Sequence, residues 1–278
     1  MTKAFLRRAL ACLMLCLCLL PGCARGEGEG QTLSVTFFDA GKADAILIRT
    51  GDHAMLIDAG LDANGAALVD ALRAAGVESL DALLITHFDK DHVGGADHVL
   101  ASLPVSAVYQ PDYLKDSKQL RQYQKAAQAA GLSPVTLSEN CELTLGEARL
   151  QVDVANQDDY GADEENDFSL VVSLRFGGTS FLFAGDAEEA RIDELLAEGN
   201  LAHDVLKVPH HGRKHDNNAQ FFEAVSPRYA VITSSDDEPE KQETVRLLEQ
   251  AGATVLLTRL GDVTIVSDGT SLTATQAG

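Results

Sequence analysis

Basic residues are scarce in this 278-residue chain: 22 Lys and Arg stand against 42 Asp and Glu, a formal charge of −20. Tight binding to a nucleic-acid backbone rests on clustered Lys and Arg that release counterions, and no such patch is visible. Strong nucleic-acid binding is therefore not expected from the charge. Cysteine is scarce too, with five in all, of which Cys12, Cys16 and Cys18 crowd the first eighteen positions. Beyond them only Cys23 and Cys141 remain, so no disulfide framework is expected, and Cys141 reads as a buried structural thiol. Long apolar runs are missing as well. The N-terminal run over residues 9–20 has about twelve residues, short of the ~20 a membrane-spanning helix needs. An apolar fraction of 45% nevertheless supplies a sizeable core.

What is present begins with a leader. Lys3, Arg7 and Arg8 precede the short apolar run, the arrangement of a secretory signal. The run ends in Leu20-Pro21-Gly22-Cys23, which resembles a bacterial lipoprotein box, with Pro21 an unusual occupant. Residues 1–22 are thus expected to be a lipoprotein-type signal peptide, Cys23 the lipidated residue, 23–32 a flexible tether rich in Gly and Glu, and 33–278 the folded domain. An exported protein anchored at the cell surface by lipid follows from that expectation.

The domain opens on β-rich runs at 33–38, 44–49 and 54–57, spaced by Gly41 and Gly51. Apolar residues at helical spacing predict a surface helix over 62–75, closed by Gly76, before a buried strand over 80–86. Helices over 96–103 and 116–130 alternate with strands over 105–110 and 134–137. From Cys141 the pattern changes to apolar–polar alternation about a turn, the mark of an antiparallel hairpin and the start of a second sheet. Strands over 169–176, 179–184, 204–208, 229–233 and 254–257 then alternate with helices over 187–197 and 240–250. A closing hairpin pairs 263–266 with 271–275.

One stretch stands apart. Thr86-His87-Phe88-Asp89-Lys90-Asp91-His92-Val93-Gly94-Gly95 places two imidazoles and two carboxylates within six residues of a strand end. Imidazole and carboxylate are ligands for borderline and hard divalent cations, and alternate residues leaving a strand point the same way, so His87 and Asp89 are expected to share an ion. Asp91 and His92 are expected to reach a second. Matching groups fall at later strand ends: Asp186 after 179–184, and His210 and His211 after 204–208.

These residues carry a resemblance. The chain is similar to metallo-β-lactamase-fold hydrolases, whose signature is H-x-H-x-D-H followed by a third His, a bridging Asp and a last His. Within that superfamily it most resembles the hydrolase domain of ComEC-like competence proteins, the DNA-uptake channels. The likeness is carried by residues 38–45, 87–95, 166–171 (Asn-Asp-Phe-Ser-Leu-Val) and 205–212 (Val-Leu-Lys-Val-Pro-His-His-Gly). Asp at the second motif position and Asn in place of the third His are traits of that subfamily. Two departures stand out. Ala43 replaces a glycine, which is tolerable where φ is negative, and Arg213 replaces a serine after the His pair, offering phosphate a bidentate fork.

The resemblance implies a four-layer αββα sandwich with its site at one rim, binding two divalent ions, Zn²⁺ or Mn²⁺. His87, Asp89, Asp91, His92, Asp186, His210 and His211 are the implied ligands, with Asp91 and the His210/His211 pair also catalytic; which of the two histidines ligates stays open. Asn166, Ser169 and Arg213 are candidates for substrate contact. The expected activity is hydrolysis of a phosphodiester, in nucleic acid or another molecule, by a metal-activated water. The alternatives are another ester or amide, including cell-wall phosphorylcholine esters, and a surface binding module without catalysis. No protein partner is implied.

Overall fold

The computed structural model describes residues 31–161 and 165–277. The signal peptide, Cys23 and nearly all of the tether lie outside the described residues.

The chain builds its sheets by alternating short apolar strands with turns and crossover helices. Strands β1 (Leu33–Phe37), β2 (Ile46–Thr50) and β3 (His53–Ile57) form an antiparallel meander. Helix α1 (Gly65–Ala74) then carries the chain to β4 (Leu80–Leu84), parallel to β3. The segment expected as one helix over 62–75 is a 3₁₀ turn, Asp62–Asn64, followed by α1, which buries Leu68, Val69 and Leu72. After β4 come α2 (Lys90–Val93), α3 (Ala96–Ser102), β5 (Val105–Pro111), α4 (Lys118–Ala129) and β6 (Val135–Leu137), with β5 and β6 continuing the parallel run. The Ser117 side chain caps α4 by accepting from Leu120 N, which is why this helix starts two residues after the expected 116.

The second sheet starts where the alternation changes, at β7 (Cys141–Leu145) and β8 (Ala148–Asp153), and continues through β9 (Val171–Phe176) and β10 (Thr179–Phe183). Helix α5 (Glu189–Glu198), β11 (Val205–Lys207), α6 (Asn218–Val225), β12 (Tyr229–Ile232), α7 (Gln242–Gln250) and β13 (Thr254–Leu257) add three parallel strands with helical crossovers. The final hairpin, β14 (Val263–Ser267) and β15 (Leu272–Gln276), returns to the first sheet and pairs with β1. The two halves of the chain are thus not each a closed sheet with its helices. Sheet orders are β15-β14-β1-β2-β3-β4-β5-β6 and β13-β12-β11-β10-β9-β8-β7.

Three apolar clusters separate four layers. Between the sheets lie Val35, Phe37 and Ile48 of the first against Leu174, Phe181 and Phe183 of the second. Outside the first sheet, Leu83 and Ile85 meet Val69, Leu72 and Val99 of the helices. Outside the second, Leu182 and Leu206 meet Ile192, Phe221 and Leu248. In β10, Phe181 and Phe183 face the inter-sheet core while Leu182 faces the helices, so the strand is buried on both sides and has no polar alternation. This is the expected αββα sandwich. Cys141 is half-buried at the edge of the inter-sheet core rather than fully enclosed. Among the described residues no helix is long and apolar enough to cross a membrane.

The parallel strands point their carboxyl ends to one rim, where ligands gather in open α/β sheets. Gly94 and Gly95 fit the motif segment against the loop after β3. A Cβ at Gly94 would stand 2.2 Å from Lys90 O and 2.6 Å from Asp62 N, and one at Gly95 2.3 Å from Ala59 O, so backbone itself occupies the space. Gly94→Ala is expected to cost about 3 kcal/mol through forced displacement, read as a lowered denaturation midpoint. An unchanged midpoint would contradict this packing.

Candidate metal centre

Three histidines reach the rim with one nitrogen already committed. His92 Nδ1 lies 2.7 Å from Asp58 Oδ2, so it carries a proton and donates it to the carboxylate. His87 Nδ1 lies 3.1 Å from Thr86 Oγ1, whose own proton goes to Asp58 Oδ2 at 2.6 Å. Thr86 N donates to the other oxygen, Asp58 Oδ1, at 2.8 Å. His211 Nδ1 lies 2.9 Å from Thr233 O, a pure acceptor, and Thr233 Oγ1 donates to Asp44 Oδ1 at 2.6 Å. In each ring Nδ1 is thereby the committed donor, and Nε2 is the atom turned to the rim to take a metal.

Those three Nε2 atoms are buried, have no hydrogen-bond partner among the described residues, and turn toward Asp186. His92 Nε2 stands 3.3 Å from Asp186 Oδ1 and His211 Nε2 stands 3.1 Å from Asp186 Oδ2. The ligand atoms of His87, His92 and Asp186 form one cluster, and those of Asp91, His92 and His211 a second beside it. Orphaned imidazole lone pairs are costly when buried, and a divalent cation satisfies them. The charges agree: four carboxylates, Asp44, Asp58, Asp91 and Asp186, line the rim, and the one buried ammonium among the described residues, Lys207, pairs with Asp44 and Asp186, while Lys42 Nζ lies 3.6 Å from Asp91 at the more open side. The donor set fits divalent cations. When bound there, such ions supply Lewis-acid polarisation of a substrate oxygen and acidify a water.

The electrostatics follow from burial and neighbours. Burial drives His87 down to about 3, assisted by His92, so its imidazole is neutral. Burial pulls His92 and His211 down too, but Asp186 and the other carboxylates outweigh it and raise both, so without a cation each holds a proton on Nε2 toward Asp186 that a bound cation would displace. Burial would raise Asp186, yet His211, His92 and Lys207 hold it well below the carboxylate range. Lys207, fully buried, also stays charged: Asp44 and Asp186 overcome its desolvation, and its Nζ donates to Gly185 O at 2.8 Å.

The remaining candidates are distributed differently. Asp89 does not join the converging atoms; its carboxylate is paired with Lys115, which also holds Glu165. The strand ends at Leu84, and Asp89 is the extended residue capping α2, so the two-residue side-chain period of a strand does not carry through to it. Of the histidine pair, His211 belongs to the Asp186 cluster, whereas His210 Nε2 is 4.0 Å from Asp186 and its Nδ1 is 2.8 Å from Glu188 Oε1. Both histidines have left-handed backbone, φ 48° and 52°, a conformation costly for residues with a Cβ and held here against the turn before Gly212. Ser169, expected at the substrate, is fully buried and accepts from Asp186 N at 3.1 Å, fixing the end of β10 instead. Asn166 donates to Glu188 Oε1, and its neighbour Asp167 accepts from Glu188 N and Arg191 N at the start of α5. Arg213 is exposed. Ala43 is not among the positive-φ residues, so the departure there creates no strain.

Asp44, Asp58 and Lys207 are supports that the sequence reading did not single out. Their signal was weak, since turn aspartates are ordinarily local caps. A lysine inside the apolar run Val205-Leu206-Lys207-Val208, where a charge needs a partner, was the better clue.

The fold matches known proteins. The model of the Metallo-beta-lactamase superfamily matches residues 39–235. The chain belongs to this superfamily. Its donor clusters on the metallo-beta-lactamase fold are consistent with a metal-dependent hydrolase. It is distantly related to competence proteins: it is 31% identical over 206 residues to competence protein ComA of Neisseria gonorrhoeae, covering 72% of this chain and 27% of that one. It is 26% identical over 271 residues to ComE operon protein 3 of Bacillus subtilis, covering 90% and 34%. The chain thus spans about a third or less of the length of these curated relatives. Among solved structures, the metallo-beta-lactamase fold protein YhfI of Bacillus subtilis superposes with a TM-score of 0.52 at 13% identity, covering 81% of this chain and 96% of that one.

If Asp58 sets the His92 tautomer, Asp58→Asn should weaken divalent-metal binding about 10- to 100-fold while the protein stays folded, measured by chelator competition. Unaltered affinity in a folded variant would remove Asp58 from this role.

Proposed function

We propose that this superfamily member is an exported, lipid-anchored, metal-dependent hydrolase of phosphodiesters. The observation that carries the reading is the convergence of three unpartnered Nε2 atoms on Asp186, with Asp91 at the more open side. His87, His92, His211, Asp91 and Asp186 would hold two divalent ions; Asp89 would join them only by leaving Lys115. Asp91 Oδ2, 3.6 Å from His211 Nε2, would orient a water by accepting its hydrogen bond. Burial would raise Asp91, but His211 and His92 keep its carboxylate strongly acidic and ionised. Lys42, beside Asp91, is placed to meet a phosphate oxygen.

Nucleic acid enters as substrate class through the competence relatives, and the net charge of −20 argues for a short or weakly held strand rather than a tightly bound polymer. A second reading has its own support. A cavity of about 600 Å³ adjoining the Asp89 side of the motif is lined by Tyr113 and Phe168, stacked at 4.8 Å, and by Asp112, Asp158 and Glu165. Aromatic faces beside carboxylates suit a cationic head, as in a phosphorylcholine ester, better than a run of phosphates.

The deciding experiment assays residues 30–278 with a bis-aryl phosphodiester, single-stranded DNA, a phosphorylcholine ester and a chromogenic cephalosporin, with and without chelator. Phosphodiester turnover is expected, abolished by chelation and lowered at least about 100-fold in Asp91→Ala. Cleavage of the cephalosporin alone would overturn the reading, and absence of both metal and turnover would favour a binding module. For the anchor, Cys23→Ala is expected to abolish incorporation of labelled fatty acid and release the protein from the membrane fraction. Unchanged labelling would exclude Cys23.

A further inference from the structure

A second group of donors lies behind the turn that carries the histidine pair. His215 is 8% exposed, and its Nδ1 stands 3.1 Å from Glu189 Oε2. On the other edge of the ring, Nε2 is buried with no hydrogen-bond partner among the described residues. The ring stacks on His210, centroids 5.5 Å apart. His210 Nδ1 is buried as well, and although Glu188 Oε1 is 2.8 Å away, the pair is outside hydrogen-bonding geometry. One ligand atom each from Glu188, His210 and His215 lies within 4.8 Å of the others.

We propose that Glu188, His210 and His215 form a further divalent-cation site, separate from the centre at Asp186. Two imidazole nitrogens and one carboxylate are a borderline donor set of the kind zinc takes. As at the main centre, a carboxylate stands on the far edge of the ring: Glu189 beside His215 Nδ1 at 3.1 Å, against Asp58 beside His92 Nδ1 at 2.7 Å. Without a cation the group is poorly satisfied, because two nitrogens are buried without hydrogen bonds in one small space. With one, the lone pairs and the Glu188 carboxylate share a single partner. The oxygen that faces His210, Glu188 Oε1, also accepts from Asn166 Nδ2 at 2.9 Å, which fixes the carboxylate's direction.

The position of the site suggests its role. His210 belongs to a left-handed turn whose next residue, His211, faces Asp186. A cation on His210 Nδ1 would pin that turn from outside and keep the His210 Nε2 edge toward Asp186, 4.0 Å away. It would brace the centre rather than perform the chemistry.

The proposal stands apart from the choice of substrate and is tested on metal content. The full domain is crystallised with zinc, and anomalous difference density is collected at the zinc edge. Equilibrium dialysis of wild type, His215→Ala and Glu188→Gln gives the zinc stoichiometry. A peak between Glu188, His210 and His215, with one zinc fewer per chain in each variant than in wild type, is expected. Peaks confined to the Asp186 centre, with equal stoichiometry in all three proteins, would overturn the further site and leave the main centre standing. Peaks at neither place would overturn both. Because the density is read on wild type, a variant that misfolds does not blunt the test.

Discussion

The carboxylate of Asp58 is the contact on which the rim depends. Fully buried, it accepts from Thr86 N, Thr86 Oγ1 and His92 Nδ1, and through Thr86 it also sets the ring of His87. Burial pushes its acidity down, opposed by His92 and Thr86. A buried carboxylate is tolerable only when such donors replace water. The loop that supplies it leaves β3 in a left-handed turn at Asp58, φ 56°, and is tied to the motif by Asp58 N to Leu84 O and Ala59 N to His92 O. The glycine pair after the motif exists to let these backbones meet.

A layer of opposing charges lies beneath that contact. Lys207, with no exposed surface, sits between Asp44 and Asp186 and donates to Gly185 O. Buried ion pairs are weak evidence for stability, because desolvation consumes most of what attraction returns. This one makes sense as scaffolding for chemistry. It keeps Asp186 ionised and aimed at the imidazoles, and Asp44 holds Thr233, which holds His211. The left-handed His210 and His211 carry the same message, since backbone strain persists where the surroundings dictate a side-chain direction.

Much of this was legible in the residue order. Apolar alternation located most of the strands to within a few residues, and the change of pattern at Cys141 marked the second sheet. Ligand types at strand ends named His87, His92, Asp186 and His211. Boundaries shifted where a local hydrogen bond decided them, as at the Ser117 cap. The return of the last hairpin to β1 was hidden, because a two-residue alternation says which residues share a face and nothing about which strand lies alongside. The Lys115 partner of Asp89 was hidden for a related reason: side-chain direction follows the strand period only while the strand lasts, and an ammonium 26 positions away competes for its carboxylate.

The sequence alone determined the layer architecture and the kind of chemistry at the rim, because periodicity and donor type are local properties of the chain. Tertiary structure decided the rest. It chose His211 over His210 for the Asp186 centre, sent Asp89 to Lys115, and made supports of Asp44, Asp58 and Lys207. It also brought the ring of His215 onto that of His210. Most of these depend on distances between segments far apart in the chain, and on which buried polar atoms burial leaves without a partner.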